Sequence, residues 1–98
     1  MPKGYWIASV DVSDVEGYQA YVAANAEAFG RYGAKFLVRG GRFEVPEGTA
    51  RSRNVVLEFN DYDTALACYR SPEYARAKAL REGRAEATVI IVEGYDGP

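Results

Sequence analysis

The sequence predicts an α+β fold of order βαββαβ, an antiparallel four-stranded sheet with its helices on one face. Three observations carry that prediction. Four short segments are rich in branched and aromatic residues, two longer stretches place apolar residues at helical spacing, and cap or turn residues stand at each junction. With 98 residues and 48% hydrophobic content, the chain has material for one domain, residues 1–98, with a modest core.

Tyr5 to Val12 alternates imperfectly but is rich in aromatic and branched residues, so it reads as a first strand ending near Asp11. Ser13 with Glu16 has the spacing of a capping box, which starts a helix by satisfying two orphaned backbone N–H groups. At about 100° per residue, Val15, Tyr18, Val22, Asn25, Phe29 and Tyr32 share one face of that helix, and Gly33 stops it. Lys35 to Gly40 and Asn54 to Phe59 are short apolar strands joined by RFEVPEGTARSR, whose Pro-Glu-Gly supplies a turn. Asp61 caps a second helix through Tyr69. Ser71 caps its continuation, with Pro72 in the first helical position and Gly83 at the close. Thr88 to Glu93, TVIIVE, is the last strand.

That order is the ferredoxin-like split arrangement, which leaves one sheet face without helices. The continuous run VIIV argues for burial on both faces, most easily achieved by pairing sheets with a second copy. A homodimer through the sheet face is therefore expected.

Composition excludes several function classes. A net charge of −2 and the lack of a dense Lys/Arg stripe argue against nucleic acid. MPKGYWIASV is too short and too weakly charged for a signal peptide, and no stretch approaches membrane-spanning length, so a cytoplasmic location and no membrane partner are expected. Cys68 stands alone in an apolar helical run and reads as a small buried side chain. The chain contains no histidine. Ser-His-Asp and Cys-His relays are thereby excluded, as is imidazole ligation of haem or zinc, and any general base is a carboxylate, tyrosine or lysine. No calcium loop, P-loop or dinucleotide fingerprint is present, so neither metal nor cofactor is expected.

The candidate binding residues are Arg39, Glu58, Asn25, Tyr69, Ser71, Tyr74 and Arg81. If the hairpin turns about Pro-Glu-Gly-Thr, simple pairing sets Arg39 opposite Val56 and lets it meet Glu58 diagonally, as a register-fixing ion pair or a ligand site. Gly40-Gly41 reads as a bulge or bend. Asn25 interrupts an apolar face and needs partners, either a neighbouring carbonyl or hydroxyl, or a ligand in a helix–sheet cleft. Ser71 has a sufficient local reason in capping. Tyr69, Tyr74 and Arg81 either pack and snorkel or line a pocket for a small anionic or aromatic molecule.

The ordered motifs GYW at 4–6, FLVRGG at 36–41, EG at 47–48, VVLEF at 55–59, SPEY at 71–74, LREG at 80–83 and VIIVEG at 89–94 carry a family likeness. Together the chain resembles domain-of-unknown-function family 1330, within the dimeric α/β-barrel superfamily. One departure is Asn60, where that family usually has proline. The resemblance implies a ferredoxin-like dimeric α/β barrel. It also implies relatives that include cofactor-independent oxygenases and isomerases working in a helix–sheet cleft, but it transfers no catalytic residue. Three classes follow: a dimeric small-molecule binder, an oxygenase or isomerase of that type, and a non-catalytic interaction module presenting RFEVPEGTARSR.

Overall fold

A computed structural model describes residues 2–98. Along them run β1 (Gly4–Val12), α1 (Val15–Arg31), β2 (Lys35–Arg39), β3 (Arg53–Phe59), α2 (Tyr62–Tyr69), α3 (Pro72–Arg81) and β4 (Ala85–Glu93). The strands form one antiparallel sheet in the order β2-β3-β1-β4. This is the expected βαββαβ arrangement, with the second helical stretch divided in two by Ser71 and Pro72.

Local chemistry explains the divisions. Asp61 and Ser71 accept the backbone N–H groups of Thr64 and Tyr74 at 2.7 and 3.1 Å, which caps α2 and α3 as expected. The first cap is a correction. Asp14, not Ser13, caps α1, because its carboxylate accepts the Gly17 N–H at 3.1 Å and also pairs with Arg84, while the Ser13 backbone N–H donates to the Arg84 carbonyl. The last strand likewise begins earlier than expected, at Ala85, since β1 offers partners as far as Val12.

Trp6, on the central strand, is the hub of the core between sheet and helices. Its ring lies 4.9–5.6 Å from those of Phe29, Phe59, Tyr69 and Tyr74, mostly edge to face. Its indole N–H donates to the Ala65 carbonyl at 2.9 Å, so the buried ring leaves no polar atom unsatisfied. The beginning of β1 lies directly beneath the start of α2, where a Cβ on Gly4 would run into the Asp61 carbonyl.

The buried stripe of α1 comprises Tyr18, Tyr21, Asn25, Ala28 and Phe29. It is rotated from the expected face: Val15 is 64% exposed, and Tyr21 turns inward. Tyr21 is drawn in because its hydroxyl meets that of Tyr74 at 2.7 Å, buried between α1 and α3. Ion pairs Arg31–Glu73 and Glu27–Arg76 tie the C-terminal half of α1 to the first turns of α3.

The sheet face turned away from the helices is open. Ile7 there stands opposite both Val56 and Ile90, and Val38 pairs with Val56. Ile7, Val38, Ile90 and Val92 are all exposed. The VIIV run thus divides by parity, with Val89 and Ile91 packed toward the helices and Ile90 and Val92 outward. Among the described residues, no helix is long and apolar enough to cross a membrane.

Candidate functional site

A cleft lies between α1, α3 and the sheet, and side chains of very different chemistry reach it from each wall. Alternation on β3 turns Arg53, Val55, Leu57 and Phe59 to the helical side, because Arg53 pairs with Val10 and Leu57 with Trp6, both buried there. On β2 the register shifts between Phe36 and Val38, which places Arg39 opposite Val55 and on the same face. Arg39 then stacks over the Phe36 ring, with 4.2 Å between guanidinium carbon and ring centre. From α3, Arg81 reaches across the ring of Tyr21 at 5.4 Å. Tyr18, Tyr21, Asn25 and Tyr74 complete the polar lining, over a floor that includes Trp6, Val10 and Val89.

The expected Arg39–Glu58 pair does not form. The irregularity at Leu37, rather than at Gly40-Gly41, slips the pairing by one residue and sends the two side chains to opposite faces of the sheet. Glu58 instead accepts a hydrogen bond from the Tyr5 hydroxyl at 3.1 Å on the open side. Ser71 has both capacities engaged, donating to the Cys68 carbonyl at 2.7 Å while capping α3. Tyr69 packs its ring 5.2 Å from Tyr74 and lies outside the cleft lining. Of the seven candidates, Asn25, Arg39, Tyr74 and Arg81 converge.

Three lining residues were not singled out from sequence: Arg53, Tyr18 and Tyr21. For Arg53, parity along β3 from Leu57 and Phe59 was a usable signal, obscured by the arginine's position at the edge of the TARSR loop.

Electrostatically the lining is one-sided. It holds three arginines and, among the described residues that form it, no carboxylate. None of the three makes an ion pair with a described residue. The Arg53 Nε is buried and has no hydrogen-bond partner. Burial pushes the Tyr21 hydroxyl above its ordinary range, and the neighbouring Tyr74 adds to this, against the opposing pull of Arg81 and a hydrogen bond with Asn25. Burial also raises Tyr74 and Tyr18, partly offset by Arg81 and, at Tyr18, by Arg53. The phenols therefore remain protonated at neutral pH and can donate hydrogen bonds. Guanidinium, phenol and amide groups line an aromatic cleft, a donor set whose chemistry matches an oxyanion; the lining presents no conventional general base.

A family model for a domain of unknown function, DUF1330, matches residues 3–95. The chain belongs to the DUF1330 family. No functionally curated protein shows significant similarity to this DUF1330 chain. Among solved structures, a protein of unknown function from Rhodopseudomonas palustris superposes with a TM-score of 0.76 at 17% identity, covering 98% of this chain and 85% of that one. The cofactor-independent oxygenase SnoaB of Streptomyces nogalater gives 0.65 at 11% identity, over 99% and 97% of the two chains. A dimeric ferredoxin-like protein of unknown function from Thermobifida fusca gives 0.62 at 14% identity, over 94% and 91%. These likenesses establish the ferredoxin-like fold for the DUF1330 chain.

Proposed function

We propose that this protein is a single-domain homodimer, joined through its open sheet faces, that binds a small anionic or aromatic molecule in the helix–sheet cleft. The observation that carries the reading is the convergence of Arg39, Arg53 and Arg81 on an aromatic cleft without a lining carboxylate. Guanidinium groups gathered without counter-charge repel one another, and an anionic guest relieves that repulsion. For the dimer, the support is the outward row of Ile7, Val38, Ile90 and Val92, an apolar strip that a second copy would cover, together with dimeric neighbours of the same fold.

A second reading is a cofactor-independent oxygenase or isomerase. It is favoured by the likeness to SnoaB and by the Tyr21–Tyr74–Asn25 cluster, which could stabilise an enolate or phenolate. With no carboxylate in the lining, such a reaction would need a substrate acidic enough to ionise against the arginines. A third possibility, a non-catalytic interaction module, would use the RFEVPEGTARSR hairpin, residues 42–53, where Phe43 and Val45 are exposed.

A thermal-shift screen against small carboxylates, aromatics, quinones and nucleotides tests the binding reading. A ligand raises Tm by mass action. The expected result is a shift with at least one compound that Arg81→Ala abolishes; no shift with any compound removes the reading.

A further inference from the structure

The cleft has two compartments of opposite character. The inner one, between Tyr21, Asn25, Tyr74 and the arginines, has a volume of about 40 Å³. A buried water occupies roughly 10–15 Å³ on such a measure, so the space suits a carboxylate-sized group and is too small for a ring. The outer one is an open groove of about 520 Å³ along the first turns of α1, walled by Val12, Val15, Val22 and Ala23. Its size is that of a typical small-ligand site. Tyr18, Val22 and Arg53 line both compartments, so the two adjoin at these side chains.

The three arginines are not equivalent. Arg81 lies over the Tyr21 ring, 5.4 Å from its centre, and Arg39 lies over Phe36 at the exposed rim. Arg53 alone keeps a buried donor without an acceptor. A buried charged donor left unmatched is costly; carboxylate and phosphate both offer two oxygens to the edge of a guanidinium, and an inner space of about 40 Å³ favours the smaller carboxylate. Gly40 makes space for that head: the Arg53 Nη1 lies where a Cβ on Gly40 would stand.

Resting on the cleft-binding reading above, we infer that the guest is an amphipathic carboxylic acid. Its carboxylate enters the inner compartment against Arg53, and its apolar body lies in the outer groove along Val12, Val15 and Val22. Arg53 is the residue that selects for the acid.

Isothermal titration calorimetry with octanoate, 1-octanol and octyl phosphate, below micelle-forming concentrations, tests this on the native chain, Arg53→Gln and Val15→Asp. Octanoate should bind the native chain at least tenfold more tightly than octanol, and Arg53→Gln should lose that preference. Val15 is exposed, so Val15→Asp keeps the fold even if Arg53→Gln does not, and it should weaken octanoate through the groove alone. Equal binding of octanol, tighter binding of octyl phosphate, or unchanged octanoate affinity in a folded Arg53→Gln or Val15→Asp protein would each overturn the inference. Those outcomes leave binding in the cleft standing. Failure of all three probes and of the broader ligand screen would remove both.

Discussion

The hydroxyls of Tyr21 and Tyr74 meet at 2.7 Å between α1 and α3, buried, and 53 residues apart in sequence. One donates and the other accepts, with Asn25 beside the Tyr21 hydroxyl and the Arg81 guanidinium over the Tyr21 ring. Each side chain is thus half of a small polar network in an aromatic wall. Removing either hydroxyl takes away one of the other's buried hydrogen bonds, a cost of about 0.5–1.5 kcal/mol. Tyr21→Phe and Tyr74→Phe should each destabilise, and the double variant should cost less than their sum. Chemical denaturation of the four proteins in the cycle measures the coupling, and strict additivity would show that the contact contributes nothing specific.

Alkaline stability should be limited by the same wall. Burial raises Tyr18, Tyr21 and Tyr74, and pushes the Cys68 thiol up to about 12, with Glu73 adding to the effect at Cys68. A group whose folded pKa is raised contributes stability that is intact below its ordinary value and declines as pH climbs toward the folded one. The ordinary values are about 8.5 for the thiol and about 10 for the phenols. Tm should therefore hold up to roughly pH 8.5 and fall beyond it, less steeply in Cys68→Ala. A Tm that stays level to about pH 11 would contradict the buried placement of these groups.

Gly40 and Gly41 should respond differently to alanine. Gly40 has φ of +68° and lies against the Arg53 guanidinium, whereas nothing lies within 4 Å of a Cβ on Gly41. Left-handed backbone costs a non-glycine residue about 1–2 kcal/mol. For a chain of this size Gly40→Ala should lower Tm by roughly 4–15 °C. It should also displace Arg53. Scanning calorimetry on the two single variants separates the cases, and equal Tm values would refute the assignment.

Ile90→Asp tests the open sheet face. Ile90 is 52% exposed, and its Cα is paired with Ile7. A solvent-facing side chain there would tolerate aspartate with little change, within about 0.5 kcal/mol. Against a second sheet it would leave a buried, unpaired charge and dissociate the dimer. Light scattering at micromolar concentration should read a dimer for the native chain and a monomer for the variant. A native monomer would exclude the sheet-to-sheet arrangement.

Much of the architecture was legible because its signals are local. The caps at Asp61 and Ser71, the helix after Pro72 and the strand character of VVLEF and VIIV depend on neighbours a few residues away, and the element order follows from them. Asn25 stood out for a local reason as well, as an amide in an apolar stripe. The choice of Asp14 over Ser13 was harder to read, because Arg84, seventy residues distant, helps to hold the Asp14 carboxylate.

The cleft itself depends on relationships that no local pattern encodes. A one-residue slip at Leu37 sends Arg39 inward and away from Glu58, and side-chain parity reverses with every such slip. Arg53 joins the cleft only because β3 pairs with the buried face of β1, and Tyr21 turns inward to meet a hydroxyl supplied by another helix. By itself, then, the sequence determined which elements form and in what order. Tertiary structure decided which charges share a cavity, because strand register and helix rotation are set by contacts between segments far apart in the chain.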